Sequence, residues 1–128
     1  MGADFAYLGT RFIATEEANA EPEYKKMLEE SAAKDIVYSS LFTGVLGNYL
    51  KPSIENAGMD PENLPDADKT SMNFGSGGNT DSKAWKDIWG SGQGIGGIQD
   101  SPSVSELVGR LKKEYEEALN EFKSKMGV

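Results

Sequence analysis

The apolar run at residues 5–8 (FAYL) constrains this chain most, because both of its faces are apolar. A strand with that pattern is typical of a parallel sheet, in which other elements cover both faces. One further segment, residues 35–42 (DIVYSSLF), has the composition of a strand, and the rest has helical spacing or turn residues. The sequence therefore predicts a mostly helical chain with one or two short strands, too few to make a sheet.

Helix signals recur along the chain, and the clearest lie near its C-terminus. Ser103 followed by Glu106 is the pattern of a capping box, in which each side chain bonds the other residue's backbone N–H. An apolar stripe with helical spacing follows at Val104, Leu107, Val108, Leu111, Tyr115, Ala118, Leu119 and Phe122. Four other helices are predicted. One starts at the N-cap Thr15, and the next spans residues 22–33 with Pro22 first. A third follows residues 47–54 and ends at Gly58, and the fourth covers residues 82–89.

Composition narrows the classes of function. The 128 residues suit one domain, and the net charge of -8 argues against non-specific binding to nucleic acid or anionic lipid. The chain has no cysteine and no histidine, which excludes disulfides, the usual zinc ligands and the commonest general base. No apolar run approaches the roughly 20 residues of a membrane span, and no signal peptide is visible. A cytoplasmic location is therefore expected.

The turn at Gly9 and Thr10 is a candidate anion site. A glycine after a buried strand lets a ligand approach the backbone, and the N–H groups that follow can point at a phosphate. Arg11 either adds charge to phosphate recognition or pairs with an acid. The alternative is a plain turn between a strand and a helix, since this pattern is short.

A second glycine-rich stretch, residues 90–97 (GSGQGIGG), lacks the lysine of a P-loop and follows a predicted helix instead of a strand. It is either a flexible helix end or a place where backbone and Gln93 approach a flat ligand.

Trp85 and Trp89 are predicted core anchors. The acids at residues 60–68 do not have the spacing of a twelve-residue calcium loop, so no metal site is predicted.

Three stretches together resemble the C-terminal third of nitronate monooxygenases, also called 2-nitropropane dioxygenases: GADFAYLGTRFIATEEA from residue 2, YSSLFTGVLGNYLKPSI from residue 38 and AWKDIWGSGQGIGGI from residue 84. The resemblance implies an α/β fold, the (β/α)₈ TIM barrel that binds FMN non-covalently. It implies that residues 5–8 are the eighth barrel strand and that Tyr7, Leu8, Gly9 and Thr10 form a phosphate-binding turn. Gly92 and Gln93 are implied to lie near the flavin.

The same resemblance implies oxidation of alkyl nitronates with O₂ to a carbonyl compound and nitrite. It divides the chain into a last strand and phosphate turn (1–18), a helical or extended extension (19–58), a loop (59–82), and a glycine-rich turn with the C-terminal helix (83–128). The family's catalytic histidine and first phosphate loop have no counterpart here, so no catalytic residue is assigned. The expectation is a fragment, inactive and marginally stable alone, whose partner is the missing N-terminal barrel portion, with Met1 an internal methionine.

Two alternatives stay open. An FMN-dependent enoyl-acyl-carrier-protein reductase-like enzyme would share the barrel and the turn at Gly9 and Thr10. A free-standing acidic helical module that binds a partner protein would explain the C-terminal helix and the charge, although it would not need the apolar run at residues 5–8.

Overall fold

A computed structural model describes residues 3–65 and 87–127. Its α-helices are α1 (Thr10–Ile13), α2 (Pro22–Glu30), α3 (Lys51–Asn56) and α4 (Val104–Met126). The strands β1 (Ile36–Ser39) and β2 (Gly47–Leu50) lie between α2 and α3, and 3₁₀ turns cover Ala33–Asp35 and Gln93–Gly97.

The two strands form an antiparallel hairpin in which Ile36 pairs with Leu50 and Ser39 with Gly47. The chain that returns at Trp89 lies along the other edge of β2. There the Leu50 N–H donates to the Trp89 carbonyl at 2.8 Å, and Tyr49 forms a bridge with Gly90. This third segment positions the glycine-rich turn that follows it.

Two small apolar clusters flank the hairpin. The larger consists of Ala14, Leu28, Leu50, Ile95 and Ile98, with Tyr24 and Trp89 packed against it. The smaller consists of Tyr49, Ile54 and Ile88. Because the larger cluster draws residues from α2, β2, the Gln93–Gly97 turn and the segment after α1, it holds these elements together.

Helix α4 has the predicted capping box. The Ser103 Oγ accepts the Glu106 N–H at 3.2 Å, and the Glu106 carboxylate accepts the Ser103 N–H at 3.1 Å. Gly127 ends the helix at a φ of 73°, the left-handed region that favours glycine. Leu107 is the buried residue of α4, so the helix packs on the described part of the chain only near its N-terminus.

The predicted strand at residues 5–8 is not formed. Phe5 and Tyr7 are 95% and 101% exposed, and residues 3–8 have no regular structure. The physical reason is pairing: a strand exists only where neighbours accept and donate its backbone hydrogen bonds. No described segment supplies such a neighbour here.

Two further predictions were wrong. No helix begins at Thr15; its hydroxyl donates to the Phe12 carbonyl at 2.8 Å, and the preceding residues form α1 instead. The strand β2 was missed, and the two strands do make a sheet. Residues 47–50 (GNYL) have no apolar alternation that would indicate a strand without its partner. The predicted helix at residues 82–89 lies mostly outside the described residues; within them Asp87 is helical, whereas Ile88 and Trp89 have no regular structure.

Candidate functional site

The turn at Gly9 and Thr10 begins helix α1. The Gly9 carbonyl accepts the N–H groups of Phe12 and Ile13 at 3.0 and 3.3 Å. The first N–H groups of a helix, here those of Thr10 and Arg11, have no acceptor inside the helix. A Cβ built on Gly9 meets no described atom within 4 Å, so the approach to these donors is open.

The structure brings this turn against the second predicted site segment. The Gly92 N–H donates to the Thr10 Oγ1 at 2.8 Å, although the two residues lie 82 positions apart. A hydroxyl has one proton to donate and two lone pairs. Since Gly92 uses a lone pair, the Thr10 hydroxyl proton is left to donate to a ligand, and the hydrogen bond from residue 92 restricts the directions that this proton can take.

Arg11 pairs with an acid, which was one of the two alternatives considered for it. Its guanidinium donates to the Asp100 carboxylate at 2.9 Å and to the Ala14 carbonyl at 3.0 Å. Arg110 of α4 donates to both oxygens of the same carboxylate at 3.0 and 2.7 Å. The Arg11 side chain is only 13% exposed, so these hydrogen bonds hold it in a largely buried position.

Two more contacts join the segment after α1 to the segment that leads into α4. The Glu16 N–H donates to the Pro102 carbonyl at 3.0 Å, and the Glu17 carboxylate accepts the Val104 N–H at 2.9 and 3.0 Å. Residues 10–17 and 92–104 therefore lie side by side in the same direction, from the turn to the start of α4. No pattern in the sequence indicated this pairing, because Asp100 and Glu17 look like ordinary surface acids.

Tyr24 was also missed as a support of the site. Its ring stacks on Trp89 with centroids 4.9 Å apart, and its hydroxyl donates to the Gly90 carbonyl. Burial raises the pKa of the Tyr24 phenol above its usual value. The neutral hydroxyl therefore anchors the backbone that leads into Gly92 over the whole neutral pH range.

The pairing at Asp100 predicts an acid-sensitive contribution to stability. Hydrogen bonds from Arg110, with the charges of Arg110 and Arg11, hold the pKa of the Asp100 carboxyl below its usual value of 3.8. Because the pKa of Asp100 is lower in the folded state than in the unfolded state, its ionised carboxylate stabilises the fold. This stabilisation is complete above the unfolded-state pKa and is lost as the pH falls through the folded-state pKa. Asp100→Asn should be less stable than wild type at pH 7, with a smaller loss between pH 5 and pH 2 in urea unfolding curves.

Glu116→Gln is the matched control, since that acid is exposed on α4 and takes part in none of the salt bridges of the described residues. Equal pH dependence of wild type and Asp100→Asn would contradict the role given to Asp100.

The remaining predicted site residues are accessible and are not brought together. Tyr7 and Leu8 precede the turn with 101% and 46% of their surface exposed, and Gln93 is exposed at the start of the second turn. Across residues 3–65 and 87–127, no three acidic, histidine or cysteine side chains are grouped as a metal site would require. In the same residues no helix combines the length and apolarity needed to cross a bilayer.

The turn offers donors of the kind that a phosphate group accepts. They are the two N–H groups that have no acceptor inside α1 and the Thr10 hydroxyl, and a Cβ on the adjacent Gly9 would meet no described atom within 4 Å. Among the residues that the structure describes, the two nearby cations are engaged elsewhere: Arg11 pairs with Asp100, and the Lys25 ammonium donates to the Thr15 carbonyl at 2.6 Å. The donors are therefore uncharged groups, which bind phosphate through geometry and partial charge.

Comparison with solved structures finds FabK (M276A) from Thermotoga maritima at a TM-score of 0.58 and 18% sequence identity. The match covers 91% of this chain and 35% of that chain, so the present chain has the fold of about a third of that protein. A search of curated protein sequences gave no match.

The sequence model of one family, described as nitronate monooxygenase, matches residues 1–114. The chain belongs to the nitronate monooxygenase family, which confirms the resemblance found in the sequence.

Proposed function

We propose that this chain forms the FMN-phosphate turn and C-terminal region of a nitronate monooxygenase built on a (β/α)₈ barrel. In this proposal the enzyme oxidises alkyl nitronates with O₂ to a carbonyl compound and nitrite in the cytoplasm. The chain contributes binding residues and needs the N-terminal barrel portion for activity.

The observation that carries the proposal is the contact between the two segments on which the family resemblance rests most. Residues 9–10 and residue 92 meet through the 2.8 Å hydrogen bond from Gly92 to Thr10. Two segments so far apart in sequence, each implied to lie at the cofactor, form one continuous surface. This arrangement supports a shared ligand more strongly than either segment alone.

Each residue has a separate task in this proposal. The N–H groups of Thr10 and Arg11 and the Thr10 hydroxyl would donate to the phosphate oxygens. Gly92 orients that hydroxyl, and Asp100 holds the Arg11 side chain. FMN, when bound, would supply the redox chemistry, since the chain has no cysteine pair to serve as a two-electron redox couple.

The exposed segment before the turn fits the same proposal. Phe5 and Tyr7 expose nearly all of their surface, although large apolar side chains gain about 1.5–3 kcal/mol each when buried. In the proposed barrel, residues 5–8 become the eighth strand, and the first and seventh strands cover them. The strand predicted from the sequence then forms only in the assembled enzyme.

Reconstitution tests the proposal. The chain is mixed with the separately produced N-terminal portion of a nitronate monooxygenase barrel that ends before the eighth strand. We expect the mixture to retain FMN through gel filtration, to consume O₂ and to release nitrite from an alkyl nitronate. Each component alone should do none of these, because the phosphate turn and the ring-binding residues lie on different pieces.

Two negative results would be informative in different ways. A mixture that does not retain FMN contradicts the phosphate turn. A mixture that retains FMN and releases no nitrite contradicts the nitronate chemistry and favours another flavin enzyme on this fold, such as the enoyl-acyl-carrier-protein reductase-like alternative, which NADH or NADPH oxidation with an enoyl thioester would detect.

A further inference from the structure

Helix α4 presents a long apolar face that the described residues leave uncovered. The α4 stripe is defined as the face that contains Val108, Leu111, Tyr115, Ala118, Leu119, Phe122 and Met126. Tyr115, Phe122 and Met126 are 69%, 60% and 63% exposed. An apolar face of this length on a helix that projects from its domain is typical of a docking surface.

We propose that the α4 stripe docks antiparallel onto the α4 stripe of a second copy of this chain. The proposal does not depend on the flavin chemistry. The family match ends at residue 114, whereas the exposed stripe continues through Tyr115 and Phe122 to Met126. The surface therefore lies largely outside the part of the chain that matches the family.

The spacing of the stripe is that of a two-helix seam. Val108, Leu111, Tyr115, Ala118 and Phe122 alternate by three and four residues, the spacing that keeps one face toward a partner helix. Leu119 and Met126 lie beside this seam and widen the apolar face on one side. The three- and four-residue spacing indicates that the occupant is another helix.

The sizes of the side chains favour an antiparallel partner. With the two-fold axis near residues 116–117, Tyr115 faces the partner's Ala118 and Leu111 faces the partner's Phe122. Each layer then combines a larger with a smaller side chain, which fills space evenly. A parallel pair would place tyrosine against tyrosine and alanine against alanine, leaving one layer crowded and the next empty.

The negative charge on the rest of the chain favours the same arrangement. Within Val104–Met126 the five acidic residues are balanced by five basic ones, so the net charge of -8 is carried by the rest of the chain. A 23-residue helix is about 35 Å long at 1.5 Å per residue. Antiparallel docking places the two acidic domains at opposite ends of the pair, well beyond the Debye length of about 8 Å in physiological salt.

Sedimentation velocity of the whole chain over a range of concentrations tests the docking. We expect a monomer–dimer equilibrium that Phe122→Glu weakens by about tenfold or more, because a carboxylate would be buried in the seam. Phe5→Glu is the matched control: it changes another exposed aromatic residue, lies outside α4 and should leave the dimer unchanged. Circular dichroism verifies that both variants keep the helix.

A wild-type chain that remains monomeric overturns the proposal. So does association that persists in Phe122→Glu, since a different surface would then be responsible. A dimer lost equally in Phe5→Glu and Phe122→Glu would also overturn it, because the contact would not be specific to α4.

Orientation is tested by disulfide formation, which is simple here because the chain has no cysteine. In the antiparallel pair Val108 lies opposite the partner's Lys125. A mixture of Val108→Cys and Lys125→Cys chains should therefore cross-link, while neither variant should cross-link with itself. Self-cross-linking of each variant would show a parallel pair and overturn the antiparallel assignment.

Discussion

Replacing Ile95 with alanine is expected to lower the free energy of unfolding by about 2–5 kcal/mol. Ile95 is fully buried, and it lies in the larger apolar cluster with Leu28, Leu50 and Ala14. The loss has two parts, the transfer free energy of the deleted groups and the cavity that the surrounding residues cannot fill. In a chain with two small clusters, few other side chains can move into that space.

The effect is large because domains are stabilised by only about 5–15 kcal/mol in total. Urea unfolding followed by circular dichroism measures the change, and Val45→Ala is the control, since Val45 is 68% exposed at the hairpin tip. Val45→Ala should change stability by less than about 0.5 kcal/mol. Equal effects of the two substitutions would mean that the larger cluster does not form the core.

Ile95 also connects the core to the candidate site. It lies in the Gln93–Gly97 turn, directly after Gly92, whose N–H orients the Thr10 hydroxyl. Loss of packing at Ile95 should therefore loosen the turn that supports Thr10. The glycines around Ile95 have no side chains to pack, so this residue alone fixes that turn against the cluster.

Local signals in the sequence were sufficient for some elements. The capping box at Ser103 and Glu106 and the proline at the start of α2 act within one helical turn, and both helices begin where these signals place them. The strand β1 lies within the predicted residues 35–42. In each of these the responsible interactions are close in sequence, so the pattern alone is informative.

Long-range contacts decided the rest. Strand β2 is defined by its pairing with β1, and Thr15 is drawn into the interior because the next residue bonds Pro102 across the chain. Thr10 and Gly92 were both predicted as site residues from the sequence, yet nothing in the sequence could show that they are in contact. Asp100, which fixes Arg11, was not found at all, since its partners are identified only by the fold.

Replacing Thr10 with valine should weaken FMN binding by the reconstituted enzyme about tenfold to a hundredfold. A hydrogen bond to a charged group contributes about 1.5–3 kcal/mol, and each 1.4 kcal/mol is a factor of ten in the dissociation constant. Valine has the shape of threonine and lacks its hydroxyl. It removes the donor to the phosphate and also the acceptor of the Gly92 N–H.

Two comparisons separate phosphate binding from a general structural effect. Thr10→Ser retains the hydroxyl and should restore most of the FMN affinity. Riboflavin, which lacks the phosphate, should bind equally to the wild type and to Thr10→Val in a fluorescence titration. If riboflavin binding falls as much as FMN binding, Thr10 supports the fold of the turn and does not contact the phosphate, because only a direct donor can distinguish the two flavins.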